Sequence, residues 1–290
     1  MLSSILVATD GSEAGDRVVE CARGLARVGA RRATLVHVFS VRDVGGLYES
    51  LRQQLLPKLE SQARLLQEAG MEVRLETPLG FPANEIARIA RKQEAKLLVA
   101  GTHGASLARE KVLGSTASEL LHNLQLPLLL LRIQILEEDG GARCRAACEE
   151  LFRNILFPTD FSDNAAHAFV FLEHIVREAR SRVTLLHVQD RTRIERHLKH
   201  RLEEFNAIDA ERLAGMKLRL EQCGALEVAA ELPYGLPIQE ILDRARQGDF
   251  SLILMGAQGR GFFAEVFLGS VASQVARLAP LPVLFVPALR

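Results

Sequence analysis

Two stretches of the chain carry residues that could grip an anion. Gly101-Thr102-His103-Gly104 is followed, after nine residues, by Gly114-Ser115-Thr116. Gly256-Ala257-Gln258-Gly259 is followed, after the same gap, by Gly269-Ser270-Val271. Glycine lets the backbone approach a bulky phosphate with no Cβ in the way, and successive loop amides can form an anion nest. A Gly-Ser pair at a helix start adds unpaired amides, the positive end of the helix dipole and a hydroxyl donor. Asp10 and Asp160 close two apolar runs. Each could accept bonds from ribose hydroxyls, or cap the helix that follows. One Gly-x-x-Gly alone is more often a plain turn; two copies with one spacing and one Gly-Ser ending weigh far more.

Such residues need strand ends to hold them. In the first half, runs of strand length lie at Ile5–Ala8, Ala33–Val38, Glu72–Glu76, Lys96–Ala100 and Leu128–Arg132. Helical periods fill the intervals at Glu13–Val28, Tyr48–Ala69, Pro82–Gln93 and Ser115–Asn123. Ser12 is placed as an N-cap and Pro82 as a first-turn proline. The second half repeats the order with strands at Ile155–Pro158, Arg182–Val188, Glu227–Glu231, Leu252–Met255 and Val283–Val286. Buried strands alternating with helices predict an α/β fold of two tandem, doubly wound, five-stranded parallel-sheet domains of Rossmann-like type. Ligands of such sheets bind beyond the carboxyl ends of the strands, where the strand order switches.

The duplication is visible residue by residue. ILVATDGS (Ile5–Ser12) returns as ILFPTDFS (Ile155–Ser162), and Thr34–Val38 returns as Thr184–Val188, both at an offset of 150. Gly80-Phe81-Pro82 matches Gly235-Leu236-Pro237 at 155, as do the glycine loops. Five extra residues therefore lie between Val188 and Gly235. A period this long indicates a duplicated domain and not a solenoid unit. We expect a first domain over 1–133, a linker over 134–152 and a second domain over 153–290. The linker reads Glu137-Glu138-Asp139-Gly140-Gly141, then a short polar helix candidate.

Composition narrows the function. Among 290 residues, Lys+Arg and Asp+Glu are each 36, which argues against a polyanion binder and removes any electrostatic reason for membrane attachment. No apolar run approaches the 18 or so residues of a spanning helix, and Met1–Asp10 lacks the basic region of a signal peptide. With no Trp and two Tyr, a single-strand stacking platform is poorly supplied. Cys21, Cys144, Cys148 and Cys223 make no Cys-x-x-Cys pair, so a reduced, cytoplasmic protein is expected. Cys144 and Cys148 stand one helical turn apart; a redox clip stays open there, with plain thiols the simpler reading. His37 and His187 sit in apolar strands at equivalent places and read as hydrogen-bonded core residues. His103 is replaced by Gln258 in the other copy, which speaks against general-base duty. His197 and His200 read as a solvated helix face.

The pattern Gly-2x-Gly-9x-Gly-[Ser/Thr], after an apolar strand and paired with an early Thr-Asp, resembles the universal stress protein family. The resemblance covers essentially the whole chain as two tandem domains, and ILFPTDFS with LILMGAQG and LGSVAS resembles its nucleotide-binding branch. It implies an adenine-nucleotide α-hydrolase-like fold that binds ATP or AMP, with Mg²⁺ as a companion left open. The strand-one Asp would help hold the nucleoside, the end of strand two would present backbone to adenine, and the glycine loops would hold phosphate. Carried over, the second site is Pro158, Asp160, Val188, Met255, Gly256, Gly259, Gly269, Ser270 and Val271. The first is Ala8, Asp10, Val38, Ala100, Gly101, Gly104, Gly114, Ser115 and Thr116. The copies differ at Ala8 and Pro158, and at Gly11 and Phe161. Between its glycines the second copy carries Phe262, Phe263 and Phe267 with Arg260 alone basic, where the first has Arg109 and Lys111.

The resemblance implies a stress-response regulator whose partner contacts change with bound nucleotide. It is expected to be at most a slow ATPase. Gly-x-x-x-x-Gly-Lys-[Ser/Thr] is missing, and no paired carboxylates follow a strand in the way metal-assisted phosphoryl transfer needs. The alternative is an interaction scaffold, or a binder of a non-nucleotide ligand, with degenerate nucleotide sites. LPLLLLR and LPVLFVP are apolar edge strands that want a partner. The resemblance implies pairing through that strand, as a pseudo-dimer of the two domains with a further homodimer open. An adenylyl transferase is the third reading, and the absence of His-x-Gly-His and Ser-Gly-Gly-x-Asp-Ser argues against it.

Overall fold

A computed structural model describes residues 2–102, 113–138, 141–146, 150–197, 199–259 and 268–288. The chain divides into two units, Met1–Glu149 and Glu150–Arg290. His103, Gly104, Arg109, Lys111, Arg260, Phe262, Phe263 and Phe267 lie outside the described residues, as do the side chains of Cys144, Cys148 and His197.

The first unit runs β1 (Ser4–Ala8), α1 (Glu13–Arg23), β2 (Arg32–Val36), β3 (Phe39–Ser40), α2 (Val41–Val44), α3 (Tyr48–Glu68), β4 (Glu72–Glu76), β5 (Leu79–Gly80), α4 (Pro82–Lys92), β6 (Leu97–Gly101), α5 (Ser115–His122) and β7 (Leu128–Leu131). Its main strands are parallel in the order β7-β6-β1-β2-β4, with β3 and β5 forming a short parallel pair. The order switches direction between β1 and β6, which opens a crevice at their carboxyl ends. Ile5, Leu6, Val7, Leu35 and Leu128–Leu131 are buried. That follows from apolar runs covered on both faces.

The second unit repeats this with β10 (Asn154–Pro158), α6 (Asp163–Ala179), β11 (Arg182–Leu186), β12 (Gln189–Asp190), α7 (Arg191–His197), α8 (Leu202–Gln222), β13 (Glu227–Glu231), β14 (Tyr234–Gly235), α9 (Pro237–Gln247), β15 (Leu252–Gly256), α10 (Ser270–Leu278) and β16 (Val283–Val286). The order is β13-β11-β10-β15-β16, again parallel, with β12 and β14 as the short pair. The fold class is thus the one the alternation predicts. Among the described residues no helix is long and apolar enough to cross a membrane.

Several local readings change. Strand two ends at Val36 and Leu186, two residues short of Val38 and Val188, although the His37 and His187 amides still donate to the Glu76 and Glu231 carbonyls of the neighbouring strand. The first helix stops at Arg23 and continues as a 3₁₀ turn over Gly24–Val28, with Gly29 closing it at φ 96°. Gly24 is a weak helix residue; α6 has no glycine and runs on to Ala179. Among its described residues the linker holds no helix. Ile133–Glu138 (β8) and Gly141–Ala146 (β9) pair as an antiparallel hairpin. The expectation of reduced cysteines also fails: buried Cys21 is disulfide-bonded, while Cys223 is a free thiol. Pairing of this kind depends on proximity in the fold, which spacing does not encode.

The five added residues of the second unit also fall into place. Both α3 and α8 have 21 residues, and their starts, Tyr48 and Leu202, differ by 154. Four residues are therefore inserted before α8 and one after it. Leu59 and Leu213, like Leu66 and Leu220, are buried at equivalent places. The Gly-x-Pro repeat has a steric cause as well. A Cβ on Gly80 would meet Glu85 Cγ at 2.6 Å, and one on Gly235 would run into the Glu240 carboxylate.

Candidate functional site

Asp160 follows β10 in a turn that it organises itself. Its Oδ1 accepts bonds from the Ser162 amide at 3.1 Å and the Ser162 hydroxyl at 2.6 Å, and Ser162 Oγ accepts from the Ala165 amide at 3.2 Å to cap α6. Asp10, Ser12 and Gly15 repeat the arrangement before α1. The helix caps are thus the serines, and the aspartates hold the caps in place rather than capping directly. The other Asp160 oxygen, Oδ2, lies against Gly259: a Cβ there would stand 2.7 Å from it.

The glycine loop of the second unit opens from β15. Ala257 donates its amide to Val286 and accepts from the Gly269 amide at 2.8 Å, which folds the loop's far end back onto its start. Gly269 is the N-cap of α10, with no side-chain cap. The Ser273 amide bonds to the Gly269 carbonyl, so the amides of Ser270, Val271 and Ala272 have no acceptor within the helix. Three free amides beside glycines, at the positive end of a helix dipole, form an anion seat. A Cβ on Gly269 would make only ordinary contacts, 3.4–3.6 Å from Ala257 and the next two residues.

These parts surround a cavity of about 670 Å³, within the range of small-molecule sites. Pro158, Asp160, Val188, Met255, Gly256, Gly259, Gly269, Ser270 and Val271 all line it. Ile194, Phe205, Ile208 and Ile241 line it as well, with polar Asp209 and Arg212 from α8. Neither Asp209 nor Arg212 was singled out in the sequence. Comparing α3 with α8 at the offset of 154 would have found them, since Asp209 then stands where the first unit has Leu55, and Arg212 where it has Lys58.

Around Asp209 the contacts are close. Gln189 Nε2 donates to Asp209 Oδ2 at 3.2 Å, His187 Nε2 lies 3.5 Å from the same oxygen, and Arg212 Nη1 is 3.7 Å from Oδ1. His187 Nδ1 donates to the Thr159 carbonyl at 2.7 Å. Phe161 stacks on the His187 ring at 4.3 Å with the Arg212 guanidinium 5.3 Å over its own ring. Phe161 takes φ 57°, a left-handed conformation that L side chains rarely adopt.

In the first unit, Ala8 ends β1 beside β2, and β6 lies along its other edge and carries Ala100 and Gly101 at its end. Val38 follows β2, while Gly114 caps α5, again with no side-chain cap, ahead of Ser115 and Thr116. The Gly114 amide bonds to Thr102. Gly104 lies outside the described residues. The ground beside the strand ends differs. Thr9 Oγ1 donates to Gln62 Oε1 at 3.0 Å, Gln62 Nε2 donates to Asp16 at 2.6 Å, and Lys58 pairs with Asp16 at 3.1 Å. Leu55 packs where a Cβ on Gly11 would stand, 2.7 Å from it. His37 Nδ1 donates to the Thr9 carbonyl at 3.1 Å. Burial holds the His37 pKa below its usual value, against the Thr9 bond and the charge of Asp10. Both strand histidines are thus buried and hydrogen-bonded, as their setting predicted.

A Rossmann-like sheet occurring twice in one chain, each copy with a glycine-led helix start that no side chain caps, defines a duplicated α/β protein. The chain belongs to the universal stress protein family, whose model matches residues 1–132 and 151–287. A universal stress protein of Mycolicibacterium smegmatis is 27% identical over 300 residues, covering 97% of this chain and 96% of that protein. YxiE of Bacillus subtilis, also a universal stress protein, is 31% identical over 147 residues, which is 47% of this chain and 99% of its own. In structure, a universal stress protein from Archaeoglobus fulgidus aligns with a TM-score of 0.74 at 22% identity, covering 99% of this chain and 98% of that one. The tandem fold is therefore shared along the full length.

Proposed function

We propose that the chain is a regulatory protein that binds an adenine mononucleotide, ATP or AMP, in the cavity of its second unit and changes its partner contacts on doing so. The observation that carries this reading is that cavity. The nine residues derived from the duplicated motif surround one volume, with amides and no side-chain cap at one end and apolar side chains at the other. The residues fit a nucleotide: phosphate against Gly256, Gly259 and the start of α10, ribose beside Asp160, and the base among Pro158, Met255 and Ile208. ATP would bring Mg²⁺ on its own phosphates. Any hydrolysis would be slow, since neither a P-loop lysine nor paired carboxylates after a strand stand in the sequence.

The test begins with the purified chain. Denaturing it and resolving the supernatant by ion exchange should release ATP, ADP or AMP, and calorimetry on emptied protein should return a dissociation constant for the same nucleotide. A supernatant without nucleotide, together with no heat and no thermal shift at millimolar ATP or AMP, would overturn the reading in favour of a scaffold. A ligand acts on partner contacts only through unequal affinity for two states. Binding of the partner should therefore change with nucleotide by the same factor as nucleotide binding changes with the partner.

A further inference from the structure

We infer that Asp209 selects the base in the second unit's cavity: its carboxylate accepts a hydrogen bond from an exocyclic amino group and so prefers a 6-amino to a 6-oxo purine. This rests on the nucleotide reading above and supplies a specificity-determining residue for it.

The orientation of a nucleotide follows from where charge is welcome. The amides of Ser270, Val271 and Ala272 and the glycines of the loop sit at one end of the cavity, and phosphate belongs there. Asp160 Oδ2 lies against Gly259 at that same end, within reach of the ribose that follows the phosphate. Asp190 and Asp209 line the remaining wall with β12 and α8. Two carboxylates there outweigh the single Arg212 guanidinium and disfavour phosphate, whereas Ile194, Phe205 and Ile208 beside them offer an apolar surface. Phosphate, ribose and base thus run from α10 towards α8, and the base edge arrives at Asp209.

Asp209 is built to receive a donor. Its side chain is only 13% exposed, and a buried carboxylate needs its lone pairs satisfied. Oδ2 is engaged by Gln189 at 3.2 Å and approached by His187 at 3.5 Å. Among the described residues the partner of Oδ1 is Arg212 at 3.7 Å, beyond hydrogen-bond length. Oδ1 therefore has acceptor capacity, and Asp209 lines the cavity. An amino group supplies a donor there, while a carbonyl oxygen would face it with a second acceptor. The first unit has Leu55 at this position and Phe39 in place of Gln189, so this acceptor belongs to the second unit alone of the two.

The test is calorimetric titration of the full chain carrying Gly114→Val, which takes the first unit's loop out of the signal. AMP and IMP are the probes. AMP should bind about tenfold or more tighter than IMP, the worth of one charge-assisted hydrogen bond. In Asp209→Asn the carboxamide oxygen stays with Gln189, so its NH₂ group replaces Oδ1 as a donor, and the AMP preference should fall about tenfold towards IMP. In Asp209→Leu, with a melting curve to show folding, the preference should vanish. Equal affinity for AMP and IMP in the parent, or a parental ratio retained in Asp209→Asn, overturns the inference and leaves nucleotide binding standing. Failure of the parent to bind either overturns both.

Discussion

His37 and His187 hold the same place in the two units and make the same bond, from Nδ1 to the carbonyl of Thr9 or Thr159. Beyond that bond their surroundings have parted. His37 meets the Phe39 ring edge-on at 4.5 Å, and Phe39 meets Tyr48 at 5.3 Å. His187 faces Gln189 and Asp209, with Phe161 stacked upon it. Two changes, Phe39 to Gln189 and Leu55 to Asp209, set polar groups where the first unit has apolar ones, and a third, Gly11 to Phe161, adds an aromatic ring. Buried polar groups are costly unless bonded. A ring of them at a cavity wall therefore points to a ligand, whereas the aromatic chain of the first unit serves packing. The difference teaches that two units with the same sheet and the same glycine-led helix start can set different side chains beside equivalent strand ends.

The largest expected effect separates the copies directly. Gly269→Val keeps an ordinary backbone, φ −71°, yet drives methyl groups into the loop. Nucleotide affinity should fall about hundredfold, or about 2.7 kcal/mol. Gly114→Val should leave the second unit's affinity intact. Calorimetric stoichiometry and affinity for the two variants decide it, and the reverse ranking would move the ligand to the first unit. Next, Asp160→Ala and Asp10→Ala should each destabilise the chain by about 1 kcal/mol through the loosened serine cap, read by urea denaturation. Only Asp160→Ala should also weaken nucleotide binding, by about tenfold.

A pH experiment sharpens the contrast between the histidines. The folded-state pKa of His37 lies below 6.5 because burial disfavours the charged ring. Between that value and 6.5 the unfolded chain binds more protons than the folded one. The stability contribution is therefore full above pH 6.5 and is lost as pH falls through the folded value. His37→Asn, which can still donate to Thr9, should flatten the decline of Tm on acidification from neutral pH. An unchanged decline would assign it to other groups. The smallest effect concerns the turn after strand one. Gly11→Ala should cost about 1 kcal/mol, since φ there is 73° and Leu55 stands in the way. Phe161→Gly relieves a similar strain but loses the contacts to His187 and Arg212, so its net change should stay within about 0.5 kcal/mol.

Much of this was legible beforehand. Parallel strands covered on both faces announce themselves as apolar runs, so β16 was read to its ends, and Ser12 and Pro82 marked helix starts where they fall. The nine residues that line the second unit's cavity were legible because the duplication turned weak glycine spacings into a matched pair. Asp209 and Gln189 were not. Asp209 sits on a helix whose register shifts by four residues relative to the first copy and Gln189 on a two-residue strand, and their meaning lies in side chains that meet only in the fold. The short pairs β3 with β5 and β12 with β14 are two residues per strand, below any periodicity. The β8–β9 hairpin was missed although Asp139-Gly140 follows Ile133-Gln134-Ile135, a turn signal after alternation that the acidic run obscured.

One carboxylate in the second unit serves two masters. Asp160 Oδ1 fixes the serine that starts α6, and Oδ2 lies against the glycine loop. Whatever pulls on Oδ2 from the crevice also tugs on the first turn of a 17-residue rod packed along the sheet. Amide exchange at Ala165 and its neighbours should then slow when the crevice is filled, making the start of α6 a gauge of occupancy that can be read from outside the crevice.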